Sequence, residues 1–185
     1  TDAHTLAVEV YPEVVANPVG ALEGCAPWQS DLTAEGYAGA SNHNITWTLP
    51  EGDTFEGVDL QRTFVGLEGQ DEELTLGLSI TSPFGCQAHS TVTATVHHTP
   101  VSDFTLSDMA ACAGTEIALL DASMYADEVT LDWGDGTGPA ANSVGTHAFD
   151  NDNFEPMVVE VVQTATTAFG CEAHTSVNHT VFPKV

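Results

Sequence analysis

The chain has 185 residues and a formal net charge of −25, because 27 acidic residues face only two strong cations, Arg62 and Lys184. So few cations cannot neutralise phosphate groups, which excludes nucleic acid as a partner and disfavours an anionic membrane surface. Hydrophobic residues make up 42%, which is typical of a folding chain. No apolar run of about 18 residues occurs, so the sequence predicts no membrane insertion.

Residues 1–11 alternate between polar and apolar side chains as a strand does, and Pro12 ends the alternation. A similar sequence recurs in residues 86–100, CQAHSTVTATVHHTP, and in residues 171–183, CEAHTSVNHTVFP. The three copies share a histidine at a spacing of 85 residues: His4, His89 and His174. The chain therefore begins with a segment that resembles the end of its two later units.

A period of 85 residues exceeds that of solenoid repeats and suits a series of small independent domains. We therefore predict that residues 1–11 are the last strand of a preceding unit, and that residues 12–99 and 100–185 are two domains. The short linker at Pro100 predicts a semi-rigid rod. Two alternatives stay open. Residues 1–11 are an ordinary first strand of the first domain, or they add to an exposed sheet edge of a neighbouring chain.

Strand patterns dominate both domains. In the first, ELTLGLSIT (73–81) places aliphatic residues at alternate positions, the turn SPFG follows, and residues 90–96 form a second strand. In the second, residues 157–167, the turn AFG and residues 174–181 repeat this hairpin. No segment shows helical periodicity with capping residues. Short strands broken by Gly, Pro, Asn and Asp predict an all-β fold of sandwiches.

The four cysteines follow the repeat, with Cys25 and Cys86 in the first domain and Cys112 and Cys171 in the second. No cysteine has a second Cys or a His at the spacing of a zinc finger, so a zinc site is disfavoured. One pair per domain at matched positions predicts one disulfide per domain, Cys25–Cys86 and Cys112–Cys171, formed in an oxidising compartment.

The second domain contains LDWGDGTG, THAF and AFGC in that order. These motifs supply an aromatic residue before a Gly-Asp-Gly turn, a His-x-aromatic strand opening and a Gly-Cys pair: Trp133, Gly134, Asp135, Gly136, His147, Phe149, Gly170 and Cys171. On these residues, 100–185 resembles a PKD domain, and more closely the cysteine-bearing PKD-like repeats of secreted Bacteroidota surface proteins of gliding and adhesion. The resemblance implies tandem immunoglobulin-like sandwiches. In the first domain Trp47 is followed by TLPEGD, so its membership rests on the repeat.

Five side chains around the Gly-Asp-Gly turn could be arranged as a nucleophile, a base and an acid: Asp132, Asp135, Ser143, His147 and Asp150. The structural interpretation is stronger, because Asp and Gly are favoured in tight turns for conformational reasons. Ser143 has neither a nucleophile elbow nor an oxyanion signature around it. We therefore predict that the chain is not an enzyme.

The segment FDNDNFEP (149–156) concentrates oxygen-bearing side chains in a loop of an acidic chain, which suits calcium. Asp150 and Asp152 are the predicted ligands, and calcium is the only cofactor that the sequence suggests. The segment lacks the Gly and the distal Glu of an EF-hand loop, so an Asx-rich turn without metal is the alternative.

Other candidate residues have simpler interpretations. Trp28, Tyr37 and Phe55 could form a sugar-binding strip, but core or loop packing is favoured. The three matched histidines are predicted to serve packing or surface chemistry, because a whole domain separates them. His97 and His98 at the domain joint are of a residue type that changes charge at about pH 5 to 7.

The sequence therefore predicts a non-catalytic structural or adhesive repeat segment of a long extracellular, cell-surface protein or filament. The expected partners are neighbouring repeats of the same chain or copies of it, with a surface or polysaccharide ligand as a further partner. The alternative is a polysaccharide-binding accessory module of a secreted hydrolase, because such domains occur in adhesins, proteases and chitinases alike.

Overall fold

The computed structural model describes residues 6–37, 42–138, 140–141 and 145–184. For Tyr37, Ala140 and Ala141 it describes the backbone alone. The described residues form sixteen β-strands and no helix, so none of them belongs to a helix able to cross a membrane. The predicted all-β fold is confirmed. It follows from alternating sequences that bury every second side chain, as in β7 (Glu72–Thr81).

The chain divides into two compact units. The first comprises Thr1–Gly66 and Glu72–Val96, and the second comprises Leu67–Asp71 and His97–Val185. In sequence, the short segment Leu67–Asp71 connects two strands of the first unit, but it groups with the second.

The first unit contains eight strands: β1 (Val14–Val19), β2 (Glu23–Cys25), β3 (Trp28–Tyr37), β4 (Asn44–Thr48), β5 (Thr54–Glu56), β6 (Asp59–Phe64), β7 and β8 (Gln87–His97). They form a three-stranded sheet in the order β1-β3-β6 and a five-stranded sheet in the order β2-β8-β7-β4-β5. The apolar faces of the two sheets enclose one core, which includes Leu32, Trp47, Leu60 and Leu76.

The second unit also contains eight strands: β9 (Phe104–Leu106), β10 (Ala110–Cys112), β11 (Glu116–Asp121), β12 (Glu128–Asp132), β13 (Ala140–Ala141), β14 (Gly145–Ala148), β15 (Met157–Thr166) and β16 (Glu172–Phe182). Its sheets are β14-β11-β9 and β10-β16-β15-β12-β13, the order of the first unit with every number raised by eight. The first strand segment pairs in one sheet, and the next, β10, crosses to pair parallel with β16 in the other. Each unit is an immunoglobulin-like β-sandwich.

The 85-residue spacing is reproduced in the strand pairing. In the hairpin β7–β8, Thr81 pairs with Gln87, and in β15–β16 Thr166 pairs with Glu172. The ten residues of β7 and of β15 have the same order of buried, partly buried and exposed positions. The two units therefore share one register as well as one topology.

Residues 6–13 form no strand, and β1 begins only at Val14. Leu6, Val8 and Val10 are 87%, 75% and 85% exposed. Residues 6–11 are therefore not part of an ordinary first strand of the first unit, and that alternative is wrong for them. Their assignment to a preceding unit stays a prediction.

The two cysteines of a unit lie at opposite ends of its last strand. Cys112 pairs with Phe182 at the end of β16, whereas Cys171 directly precedes Glu172 at the start of β16. Ten residue steps along a strand cover about 33 Å, and a disulfide needs Cα atoms within about 7 Å of each other. A bond between the two cysteines of the second unit is therefore excluded.

The first unit has the same arrangement. Thr95 N, near the end of β8, donates to Leu22 O beside β2, so Cys25 lies at that end, while Cys86 precedes the start of β8. Cys25 and Cys171 are disulfide-bonded, and Cys86 and Cys112 are free thiols. The predicted pairs Cys25–Cys86 and Cys112–Cys171 are wrong, because matched sequence positions carry no information on which end of the sandwich each cysteine occupies.

Candidate functional site

The strongest sequence motif of the chain folds into one tight turn after β12. Asp132 Oδ1 accepts a hydrogen bond from Gly134 N at 2.9 Å, and Asp135 Oδ1 accepts from Thr137 N at 3.1 Å and from the Thr137 hydroxyl at 2.7 Å. Gly134 has φ +75°, and a Cβ there would collide with the carbonyl of Glu160. Glycine is therefore required at this position.

His147 of β14 joins this turn to the core. Its Nε2 lies 2.6 Å from Asp135 Oδ2, and its ring stacks on Trp133 with a centroid distance of 4.8 Å. Phe149 meets the same histidine edge to face at 4.7 Å and stacks on buried His179 at 5.2 Å. The motif residues that are distant in sequence thus form one cluster, which we call the turn cluster: Trp133, Asp135, Thr137, His147 and Phe149.

The electrostatics of the turn cluster favour an ionised carboxylate. Burial is the largest single influence and raises the pKa of Asp135. Hydrogen bonds from the Thr137 hydroxyl, from the Thr137 N–H and from His147 together outweigh burial, so this pKa lies below its ordinary value. A carboxylate of this kind stabilises the folded state above its ordinary pKa and loses that contribution as the pH falls.

The contacts of the turn cluster hold the backbone of the turn in one conformation. Both Asp132 and Asp135 are engaged by the backbone of their own turn, and His147 is held between the Asp135 carboxylate and the Trp133 ring. Ser143, the candidate nucleophile, lies outside the described residues. Asp132, Asp135 and His147 therefore fix the conformation of the turn. Asp150, the other described member of the candidate set, is exposed.

Replacing Asp135 by Asn is expected to lower the free energy of unfolding of the second unit by about 1 kcal/mol at neutral pH. This is less than the usual value of about 1.5–3 kcal/mol for a hydrogen bond to a charged group, because the side chain is partly exposed and solvent screens its charge. When the pH is lowered below about 4, the variant should lose less stability than the parent chain does. Urea unfolding at several pH values measures both effects. The control Asp53→Asn alters an exposed carboxylate of the first unit, and an equal effect in both variants would contradict the prediction.

The predicted calcium loop is organised by an amide. The Asn151 side chain is buried, its Nδ2 donates to Glu155 O at 3.1 Å and to Val181 O at 2.9 Å, and its Oδ1 accepts from Asn153 N. Asp150 and Asp152 are exposed on either side. No group of three or more His, Cys, Asp or Glu able to hold a metal occurs among the described residues. Calcium at Asp150 and Asp152 stays a prediction.

If calcium binds this loop, millimolar calcium is expected to raise the melting temperature relative to chelator. At ten times the Kd, ligand binding to the folded state alone adds about 1.4 kcal/mol of stability. The double variant D150N/D152N should abolish the rise and keep the chelator value. An equal melting temperature of the parent chain in chelator and in calcium would remove the prediction.

A second polar cluster, which the sequence did not reveal, surrounds Asp71. Its Oδ1 accepts from His98 N at 3.0 Å and lies 2.7 Å from His98 Nδ1, while its Oδ2 lies 2.8 Å from His97 Nδ1. The backbone N–H of His98 first, and then both imidazoles, lower the pKa of Asp71 to about 2. His98 Nε2 lies 3.3 Å from Tyr125 O. Both ring nitrogens of His98 thus lie near oxygen atoms that can accept a hydrogen bond.

The Asp71 carboxyl is expected to titrate near pH 2, against about 3.9 for a free aspartate. The double variant H97A/H98A should raise this midpoint but not restore it fully, because the His98 backbone N–H remains. Carboxyl NMR shifts followed against pH measure the midpoint. His89→Ala is the control, because His89 pairs with Ser79 in the β7–β8 ladder. A midpoint unmoved by the double substitution would contradict this account of Asp71.

The remaining candidates are placed as follows. Trp28 is buried and stacks on Phe64 at 5.6 Å, which confirms core packing, whereas Phe55 is partly exposed. The side chain of Tyr37 and residue His4 lie outside what the structure describes. His174 Nδ1 lies 2.8 Å from the Thr164 hydroxyl, which agrees with surface chemistry.

No known protein-family model matches the chain, and no curated protein matches it. Solved structures resemble it at low identity. The fibronectin(III)-like modules of Clostridium thermocellum CbhA are 11% identical, with 91% of this chain and 94% of that chain covered and a TM-score of 0.43. The amphioxus IgVJ-C2 molecule is 11% identical, with 84% and 98% covered and a TM-score of 0.36.

A structure of a 1.5-MDa bacterial ice-binding adhesin, described in terms of host cell surface retention, is 15% identical over 92% of this chain and 65% of that chain, with a TM-score of 0.38. Likenesses of this size carry no conclusion on function. The class of the protein therefore rests on its own sheets: it consists of immunoglobulin-like β-sandwich units in one repeated topology.

Proposed function

We propose that the chain is a non-catalytic, load-bearing repeat segment of a long extracellular cell-surface protein or filament. The observation that supports this most directly is a strand pairing. In each unit, a strand near the start of the unit's sequence pairs with the last strand of the unit. In the second unit β10 is the neighbour of β16 and runs parallel to it, with Ala110 opposite Thr180 and Cys112 opposite Phe182. In the first unit β2 is likewise the neighbour of β8.

A pull on the two ends of such a unit acts on these neighbouring strands in opposite directions. Because the strands are parallel, the pull slides one along the other and loads their hydrogen bonds together. Thr180 N donates to Met109 O at 3.0 Å, and Ala113 N donates to Phe182 O at 3.0 Å, on both sides of the paired residues. Bonds loaded together resist more than bonds broken in turn, which suits a stalk under tension.

An extracellular place is supported by two properties of the chain. Cys25 and Cys171 are disulfide-bonded, and disulfides persist in oxidising compartments. The net charge of −25 keeps neighbouring copies soluble and mutually repelling. The resemblance of residues 100–185 to PKD-like repeats of Bacteroidota surface proteins agrees with the proposal.

A recurring ring contact supports the assignment of residues 1–11 to a preceding unit. Tyr11 stacks on Phe84 with a centroid distance of 4.1 Å, and His97 stacks on Phe169 at 3.5 Å. Phe84 and Phe169 occupy the same hairpin turn of the two units, 85 residues apart. Tyr11 and His97, which are 86 residues apart, thus contact the same turn of the two units. This supports a role for the end of residues 1–11 that resembles the role of the end of β8.

Depletion from solution by insoluble polysaccharides such as cellulose and chitin separates this function from the rival accessory module. If the chain is a load-bearing segment, its concentration in solution is expected to stay unchanged after incubation with each polysaccharide. Saturable depletion that disappears when Phe55 and Phe154, two exposed aromatic residues, are replaced by Ala would instead support the accessory module.

A further inference from the structure

We propose that a groove on the outer face of the five-stranded sheet of the first unit binds a single neutral sugar ring. The groove, which we call the glycine groove, crosses three neighbouring strands, β4, β7 and β8. Its side chains are mostly small and polar, and the residues that matter for binding are Thr48, Gly77, Ser79, His89 and Thr91. All of them lie within the first unit, and the load-bearing function does not require the site.

The strand register places these residues side by side. Gly77 pairs with Thr48 on one side and with Thr91 on the other, and in the next row Ser79 pairs with His89. Paired residues of antiparallel strands lie on one face, and along β7 the buried residues alternate with this set, so the groove faces away from the core. Its volume of about 290 Å³ is close to the lower limit of about 300 Å³ for small-molecule sites.

Gly77 opens the groove. Its φ is not in the left-handed region and it pairs regularly on both sides, so the backbone does not require glycine here. A Cβ at this position would lie 3.3 Å from Thr48 Cβ and 3.7 Å from Thr48 Oγ1, where a ligand would otherwise fit. Glycine inside a strand weakens the strand and marks a place where another molecule approaches the backbone closely. Gly77 is therefore the floor of the site.

The second unit has the same strands without the groove. Val162 lies 85 residues after Gly77, and Asp132 pairs with Val162 as Thr48 pairs with Gly77. The valine side chain fills the space above the backbone, and the Asp132 carboxylate accepts from Gly134 N. The repeated topology thus does not need a glycine at this position, and the groove is a property of the first unit.

His89 is available to a ligand, whereas its counterpart His174 is engaged. Nδ1 of His174 lies 2.8 Å from the hydroxyl of Thr164, the residue opposite it in β15. In the first unit Ser79 is opposite His89, but no described residue makes a hydrogen bond to the His89 side chain. His89 is exposed, so its ring nitrogens are open to a molecule in the groove.

The chemistry of the lining selects a neutral, hydroxylated ligand. A hydroxyl group and a neutral imidazole each donate and accept hydrogen bonds, as the hydroxyls of a sugar do. A metal cation prefers carboxylate oxygens, and none of the described residues that line the groove carries one. An anion is repelled by the net charge of −25. The methyl groups of Thr48 and Thr91 beside the Gly77 backbone suit the C–H face of a sugar ring.

Nuclear magnetic resonance titration of the chain with glucose, galactose, mannose and N-acetylglucosamine tests the site. At least one of these sugars is expected to give saturable shifts of the Gly77, Ser79 and Thr91 amides and of the His89 ring. The expected Kd is about 1 mM, the affinity that usual ligand efficiencies give to a molecule of about twelve non-hydrogen atoms.

Three variants locate the binding. Gly77→Val installs the residue of the second unit and should raise the Kd at least about tenfold, because the side chain fills the floor. His89→Ala should raise it about fivefold through the loss of a hydrogen bond. The control Thr63→Val removes an exposed hydroxyl from the other sheet and should leave the Kd unchanged. Urea unfolding of each variant checks that the first unit is folded.

The site would be overturned by the absence of saturable shifts with all four sugars, or by parent-like binding of the folded Gly77 variant. Equal effects of the His89 and Thr63 variants, or binding of glucuronate in preference to the neutral sugars, would also overturn it. Millimolar binding of one ring does not deplete the chain onto cellulose or chitin, and the load-bearing function is measured by force. Either proposal can therefore fail while the other stands.

Discussion

Replacing Trp47 by Ala is expected to lower the free energy of unfolding of the first unit by about 3–5 kcal/mol, the usual loss when a large aromatic residue is removed from a core. Trp47 is fully buried, and its core includes Leu32, Leu60 and Leu78. Since a domain of this size is stable by only about 5–15 kcal/mol, the variant should unfold at clearly lower urea. Urea unfolding followed by fluorescence and circular dichroism measures the loss.

Phe55 offers a matched control, because it pairs with Trp47 across β4 and β5 but is 42% exposed. Its replacement by Ala removes an aromatic ring from the same ladder without opening a core cavity. The expected loss is less than half that of the Trp47 variant. Equal losses would contradict the assignment of the core to the Trp47 face.

Replacing Gln163 by Leu is expected to destabilise the second unit by about 2–4 kcal/mol, although Leu is the more hydrophobic residue. The buried Gln163 Nε2 donates to Asp121 Oδ1 at 3.1 Å, and its Oε1 accepts from the hydroxyls of Ser102 at 3.2 Å and Ser123 at 2.9 Å. Leucine removes these three hydrogen bonds, each worth about 1 kcal/mol net. Asp121 Oδ1, Ser102 Oγ and Ser123 Oγ then keep their bonds to the backbone: Ser123 N, Gln163 O and Asp103 O.

The first unit provides the reciprocal experiment for Gln163. Leu78 is the residue 85 positions earlier and lies in the hydrophobic core. Leu78→Gln should also destabilise, because it places an amide in that core. If Gln163→Leu stabilised the second unit, the polar network would not contribute to its folding.

The hairpins were predictable from sequence because their information is local. Leu74, Leu76, Leu78 and Ile80 alternate along β7, and all four are buried. A period of two with one apolar face fixes both strand and register, and the repeated copy in β15 makes the prediction stronger. The Gly-Asp-Gly turn was predictable for the same reason, since its bonds join residues two apart in sequence.

The cysteine pairing was not predictable because it depends on the direction of distant strands. The spacing from Cys25 to Cys86 closely resembles that from Cys112 to Cys171, which suggested a bond within each unit. Only the pairing of β10 with β16 shows that the two cysteines of a unit lie at opposite ends of an eleven-residue strand.

The contacts of Asp71 were missed for a related reason. Asp71 lies in an acidic stretch whose sequence suggests a solvated loop, and its partners His97 and His98 follow 26 and 27 residues later. The pair of adjacent histidines at the end of β8 was the available signal. Nothing in their sequence indicates that the carboxylate lies beside them.

The force at which the second unit opens when a reduced single chain is pulled by its ends tests the load-bearing function most directly. Ala113→Pro removes the N–H that donates to Phe182 O beside β10 and β16. Val159→Ala removes part of the core without touching these strands. The account predicts that the Ala113 variant loses far more opening force than the Val159 variant at matched loss of equilibrium stability. Equal losses of force would contradict it, because opening would then follow stability and not the sheared strand pair.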